Sequence, residues 1–417
     1  MTDSFSPEFQ ATPPARPFWR TELEQMARLG APIVMTQLAW VAMLTTDTAM
    51  IGRLGPDALA GASLSLMIFF LTWVFCFGVV MATAALASQA YGARKPRMVR
   101  RVIRQGFWVT LILTVPAMGL FPYTADLLGI LSQPAHILPY ADAYMSTLMW
   151  SLMPSIGFAV VRNFISSLNR PAPALWVMLA GVPLNGLLDY GLIFGNFGLP
   201  RLELVGAGIA TSAINWLMFL ALLAIAVFRR PFSRYAILGR FWRPDWFQFR
   251  QIFRIGLPIA GMSLLEAGFF FSSIFIVGQF GAHAIAATMI ALQMPHITFM
   301  VPMGLGQAAT VRVGQAVGRR DVNGAYRAGW TALAIALAFM SVMTAIVLSI
   351  PETFASIYLD GARPDSAAVL ALAASYLIYA AFFQAADGIQ AVAAGALRGL
   401  NDTARPMAIA AFSYWGI

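Results

Sequence analysis

The 417-residue sequence predicts an all-α integral membrane protein built from two parallel repeats. Three observations lead there. First, 59% of the residues are hydrophobic and only 11% are charged, with a mean hydropathy of +0.72. Soluble proteins average about 25% charged residues. So few charges cannot cover a soluble surface, and the same composition excludes disorder. Second, apolar stretches of the roughly 20 residues needed to cross a bilayer recur along the chain. Third, the sequence repeats itself at a fixed offset.

The elements follow in order. Residues 1–27 are polar and contain Pro7, Pro13, Pro14 and Pro17. They read as a flexible cytoplasmic tail with a short interfacial end. They hold no apolar core of the kind a cleavable signal peptide needs. Ten spans are expected at 29–52, 58–86, 102–122, 138–162, 171–195, 205–228, 253–279, 284–311, 326–350 and 367–395. An eleventh begins near Ala404 and reaches Ile417, too short a stretch to cross. The sequence therefore reads as stopping within span eleven.

Arginine placement sets the orientation, because basic loops stay in the cytoplasm. The segment after span two carries Arg94, Lys95, Arg97, Arg100, Arg101 and Arg104 with no acid. The segment after span six carries seven arginines against Asp245, and the one after span eight carries Arg312, Arg319, Arg320 and Arg327 against Asp321. Residues 122–142 instead carry Asp126 and Asp142, and 351–365 carry Glu352, Asp360 and Asp365 against Arg363. The N-terminus is therefore expected in the cytoplasm. The net charge of +9 belongs to this topology and not to nucleic-acid binding.

At an offset of 226 residues, Arg28-Leu29-Gly30-Ala31-Pro32-Ile33 matches Arg254-Ile255-Gly256-Leu257-Pro258-Ile259. The same offset pairs Gly52 with Gly278, Gly55 with Gly281, Gly78 with Gly304, Gln89 with Gln315 and Arg94 with Arg320. Six spans separate the copies. An even number gives both halves the same orientation, the parallel-repeat plan of many secondary transporters, whose site lies between the halves near mid-membrane. The expected units are a tail (1–27), an N-lobe (28–228), an inter-lobe loop (229–252) and an incomplete C-lobe (253–417).

Four acids fall within spans: Asp47, Asp189, Glu266 and Asp387. Each costs about 2.5–3.5 kcal/mol at a helix centre, so such residues usually face a bundle interior and mark ion pathways. They break the repeat, since Asp47 pairs with Ser273 and Glu266 with Trp40. The halves therefore do different work. Asn185 and Asp189 lie four apart, on one helix face. Pro183 just before them frees a backbone carbonyl. An amide with carboxylates beside it can bind a proton or a bare Na⁺.

Other signals carry less. Cys76 is a lone cysteine, and His136, His283 and His296 are scattered, so no metal site is expected beyond a possible Na⁺ at the acids. Gly304-Leu305-Gly306-Gln307-Ala308-Ala309 fits a dinucleotide fingerprint as a string but follows no strand. Asn401-Asp402-Thr403 fits a glycosylation acceptor on the wrong side of the membrane. No Walker A sequence appears. Phe269, Phe270, Phe271, Tyr376 and Tyr379 read as packing or lipid contacts in preference to drug-stacking rings.

Several stretches resemble a known family, the multidrug and toxic compound extrusion (MATE) transporters, most closely their NorM-type branch. Asp47-Thr48-Ala49-Met50-Ile51-Gly52 is similar to the span-one motif. Leu265-Glu266-Ala267-Gly268-Phe269-Phe270 is similar to the span-seven acid motif. Asp387 through Gly399 is similar to the span-ten signature. The resemblance runs from about Arg28 to the last residue. It implies a V of two six-helix lobes, the second incomplete here, and an antiporter, not an enzyme, that exports organic cations across a bacterial inner membrane against Na⁺ or H⁺. It implies that Asp47, Asn185, Asp189 and Thr211 form an N-lobe ion or proton site, and that Glu266 and Asp387 form a C-lobe cation site. It implies no cofactor, with small organic cations and lipid as partners, no obligate protein partner, and a monomer. One departure stands out: Ala287-Thr288-Met289 occupies a place where the branch often has Ala-His-Gln. The alternative reading is a flippase for a lipid-linked oligosaccharide, which would want a cationic cavity. The expected cavity residues here are acidic.

Overall fold

The computed structural model describes residues 18–356 and 366–416. Asp360, Arg363 and Asp365, used above for orientation, lie outside them, as do residues 1–17. The helices are, in order, α1 (Phe18–Gly52), α2 (Pro56–Gly92), α3 (Pro96–Leu120), the short α4 (Thr124–Ile130), α5 (Leu138–Leu148) and α6 (Leu152–Ser167). They continue with α7 (Ala172–Phe194), α8 (Glu203–Phe228), α9 (Trp246–Gly278), α10 (Ala282–Gly318), α11 (Val322–Ser349), the short α12 (Pro351–Ser356), α13 (Ser366–Gly399) and α14 (Ala404–Trp415). No strand occurs among the described residues. Among the described residues ten crossings are long and apolar enough to span a membrane, with α5 and α6 making one of them across a 3₁₀ turn. Large apolar side chains such as Leu217, Leu220, Leu337 and Val342 are exposed, as helices solvated by lipid require.

The helices outrun the expected spans. α2 and α10 have 37 residues each, about 55 Å at 1.5 Å per residue, against a hydrocarbon core of about 30 Å. Basic residues assigned to loops therefore sit in helices. Arg97, Arg100, Arg101 and Arg104 lie in the opening turns of α3, and Arg250 and Arg254 lie in α9. Residues 18–27 belong to α1, where Met26 is fully buried. Glu22 accepts three hydrogen bonds from Arg312 of α10, Oε1 from Nε at 3.2 Å and from Nη2 at 2.8 Å, and Oε2 from Nη2 at 2.8 Å. This buried pair ties the part of the expected tail that is helical to α10.

The 226-residue offset is visible in the backbone. α1, α2 and α3 end or begin at Gly52, Pro56, Gly92 and Pro96; α9, α10 and α11 do so at Gly278, Ala282, Gly318 and Val322. Gly55 and Gly281 both hold positive φ, 120° and 99°, before the second helix of each copy. Arg94 and Arg320 are both left-handed, at 57° and 59°. The helix starts that follow are solved differently. Pro96 opens α3 from within, whereas Asp321 caps α11 by accepting from the Gly324 N–H at 2.7 Å.

The repeated glycines mark helix crossings. A Cβ on Gly304 would lie 2.8 Å from the Cα of Val34, and one on Gly78 would lie 2.6 Å from the Cα of Ala260. Val34 and Ala260 are themselves 226 apart. α1 thus crosses α10 as α9 crosses α2, and each half lends its first helix to the other. At the basic ends, Gln89 of α2 donates to the Gly399 carbonyl at 2.8 Å and accepts from Asn401 at 2.8 Å. Gln315 of α10 donates to the Ser167 carbonyl at 2.9 Å and to Asn169 at 3.0 Å. Asn169 and Asn401 are both left-handed. Two equivalent clasps therefore close this end of the molecule.

Candidate functional site

Two polar constellations lie inside the helix bundle. The first joins α1, α7 and α8. Asp47, Asn185, Asp189 and Thr211 are all buried. The Asn185 amide donates to Asp47 through a short hydrogen bond and to Asp189 Oδ2 at 2.8 Å, and Thr211 Oγ1 lies 3.4 Å from Asp47 Oδ2. Pro183 interrupts the backbone ladder of α7 just before this pair. Asn185 Oδ1 and Asp189 Oδ1 have no partner among the described residues. Such oxygens suit a small cation or a proton. Tyr144 of α5, fully buried and within electrostatic reach of both carboxylates, was not anticipated. Its spacing from them in sequence carries no signal.

The second is a cavity of about 480 Å³ bounded by α1, α2, α6, α7, α8, α9, α10 and α13. That is within the usual range for small-molecule sites. Glu266 and Asp387 line it, and the four residues of the first cluster do not. The two constellations share no residue, and they adjoin along α8, where Asn215 of the cavity wall donates to the Thr211 carbonyl at 2.8 Å. Asp387 and Glu266 are within electrostatic reach of each other, and Arg398 is within reach of Glu266. α14 closes in behind them. Tyr414 packs on Phe269 with ring centroids 5.2 Å apart and accepts from Gln390 at 2.7 Å.

Two expectations change here. Arginines are not confined to the membrane surface, since Arg162 and Arg398 both line the cavity. Acidity therefore does not describe it. Phe270 and Phe271 also face the cavity, whereas Tyr379 is exposed. Two of these five aromatic side chains therefore line the cavity. Met289 does line the cavity, and one turn on Gln293 supplies an amide on the same wall. Trp40, the repeat counterpart of Glu266, faces the same space and stacks on Trp73 at 5.4 Å, which stacks on Phe77 at 4.6 Å. Among the described residues no group of His, Cys, Asp and Glu has metal-site geometry. His296 stands in the cavity wall, and His136 lies 3.9 Å from Asp57 on the surface.

The sequence matches the MatE family over residues 32–191 and 258–417, two segments displaced by the same 226 residues. The chain belongs to the MATE family. Relatives agree on the NorM-type branch. A protein of Rhodopseudomonas palustris named "Probable multidrug resistance protein NorM" is 44% identical over 96% of this chain and 84% of its own length. One of the same name from Mesorhizobium japonicum is 41% identical over 96% and 86%. Among solved structures, the eukaryotic MATE transporter AtDTX14 superposes with a TM-score of 0.85, at 20% identity, over 95% of this chain and 87% of its own. Family and helices together make this a multi-pass integral membrane transporter. In a MATE protein the Gly304-Leu305-Gly306 string has a packing role: Gly304 meets α1, and a Cβ on Gly306 would lie 2.8 Å from the Ala391 carbonyl of α13.

Proposed function

We propose that this MATE protein is a secondary antiporter that exports drugs and other organic cations across the bacterial inner membrane against Na⁺ or H⁺. The observation that carries this reading is the separation of two carboxylate sets. One set is buried among polar side chains, and the other lines an aromatic-walled cavity of small-molecule size. The relatives named as multidrug resistance proteins support the same substrate class. Ion entry at Asp47, Asn185, Asp189 and Thr211, or at Glu266 and Asp387, biases the halves toward the state that releases the drug. Differential binding to the two states is what moves such an equilibrium. The lobes are residues 28–228 and 253–417, and the basic ends with the N-terminus face the cytoplasm. The flippase alternative draws no support from the named relatives, even with arginines in the cavity.

The test is ethidium efflux in everted membrane vesicles under separately imposed Na⁺ and H⁺ gradients. One gradient is expected to drive efflux, and Glu266→Gln with Asp387→Asn is expected to abolish it. Unchanged gradient-driven efflux in that double variant would sink the assignment of those carboxylates.

A further inference from the structure

The segment that joins α8 to α9 is folded against the first half on one side. Phe232 and Ile237 are buried, and Phe164 meets the rings of Phe232 and Tyr235 at 6.1 and 5.6 Å. Arg104 donates to the Arg240 carbonyl at 2.9 Å, and Trp108 donates to the Phe241 carbonyl at 3.1 Å. Asp245 accepts from the Gln248 N–H at 3.3 Å and lies 3.8 Å from Arg101. The side chains left outside are of two kinds. Arg229, Arg230, Arg234, Arg240, Arg243 and Arg250 are exposed. Asp245 is the one acid between Phe228 and Arg254, and none of these six arginines has an acidic partner among the described residues. Phe228, Trp242, Trp246 and Phe247 are each at least 66% exposed.

Neither bulk water nor hydrocarbon suits that mixture. Water leaves four large aromatic side chains unburied, and hydrocarbon cannot solvate six guanidinium groups. The headgroup layer suits both, since aromatic rings settle at that depth while arginines reach phosphate. Helix length agrees. α9 has 33 residues, about 50 Å, against the 40–45 Å of a whole bilayer with its headgroups. Its first turn, with Trp246 and Phe247, therefore reaches the headgroup layer. The turn between α2 and α3 is the contrast. Arg94, Lys95 and Arg97 are exposed there, but no large apolar side chain is exposed from residue 71 to 111. Charge alone marks that turn, and charge together with aromatic rings marks the segment between α8 and α9.

We propose that this segment is a docking surface for anionic phospholipids. Its arginines hold the phosphates of lipids such as phosphatidylglycerol, and its tryptophans and phenylalanines sink among the glycerol backbones. Topology asks only that a loop be basic. This surface goes further: it ties the junction between the two halves to the membrane and selects one class of lipid around it.

The experiment uses the full chain in nanodiscs of phosphatidylcholine and phosphatidylglycerol, with a trace of one or the other lipid spin-labelled on its acyl chain. The motionally restricted fraction of each label gives the relative association of the two lipids. Wild-type protein is expected to favour phosphatidylglycerol by about twofold or more. Arg230→Gln with Arg234→Gln and Arg243→Gln is expected to remove most of that preference. Arg94→Gln with Lys95→Gln and Arg97→Gln removes the same charge where no ring is exposed, and is expected to keep most of it. Equal loss in the two triple variants would assign the preference to net charge and overturn the proposal. If the first variant does not fold, equal wild-type association of the two lipids overturns it without any variant. Depth is read separately. A fluorophore on Trp242→Cys is expected to be quenched by a lipid with a nitroxide near its headgroup, and more strongly when phosphatidylglycerol is present. A label left unquenched would put the segment in water, facing a soluble partner in place of lipid, and would overturn the proposal. No outcome depends on what the protein exports.

Discussion

Single side chains in this transporter are worth more than their counterparts on a soluble surface, because few polar partners are available inside the bundle. Glu22 and Arg312 are the clearest case, with side chains about one-tenth exposed. Breaking a buried pair by removing one member typically costs about 3–5 kcal/mol, since the other charge is stranded. Glu22→Leu is expected to lower the melting temperature by several degrees in detergent. Adding Arg312→Leu should recover much of that loss, because two apolar residues replace a pair that had to be desolvated. A double variant no more stable than the single one would assign the cost to packing of α1 instead. Arg162 is the contrasting case, a buried guanidinium that pairs with Gln37 through Nη1 while its Nε and Nη2 have no acceptor among the described residues.

The helices are positioned by glycine and by amides, and each device occurs twice. Gly78 and Gly304 sit where α2 meets α9 and α10 meets α1, with no room for a methyl group against backbone. Gly78→Ala and Gly304→Ala are each expected to destabilise by about 1–3 kcal/mol, as overpacking does. Gly119→Ala is the control: nothing lies within 4 Å of its Cβ position, and α3 gains helix propensity there. The amide clasps make a second prediction. Gln315 is fully buried and Gln89 partly so. Gln315→Ala should cost about 1–3 kcal/mol by leaving buried partners unsatisfied, and Gln89→Ala less, since water can reach its site. Thermal unfolding of the two variants measures the difference. Equal effects would mean that burial does not set the cost.

For the whole molecule, the clasps close the basic end, and the cavity lies farther along the same helices. If that end faces the cytoplasm, a thiol at position 95 is reached from inside the cell and one at position 132 from outside. Lys95 and Ser132 are both exposed. Cys76, the sole cysteine, is 1% exposed and gives little background. In intact cells an impermeant maleimide is expected to label Ser132→Cys and spare Lys95→Cys. The reverse pattern would invert the topology and with it the direction of export.

Membrane residence, ten crossings, the repeat and the four acids within the spans were all legible in the sequence. Each rests on local composition, span length or a fixed offset, and none needs to know which way a helix faces. The facing itself was decided by the tertiary structure. It gathers Asp47 from α1, Asn185 and Asp189 from α7 and Thr211 from α8 into one cluster. It turns Arg162, Trp40 and Trp73 toward the cavity, and it sets Gln89 and Gln315 against the opposite halves. In water, the apolar stripe of a helix reveals its buried face. In lipid that signal is absent, because the outside of the bundle is as apolar as the inside. Helix faces are then chosen by close packing at small residues and by the pairing of scarce polar groups, which become visible only once the chain is folded.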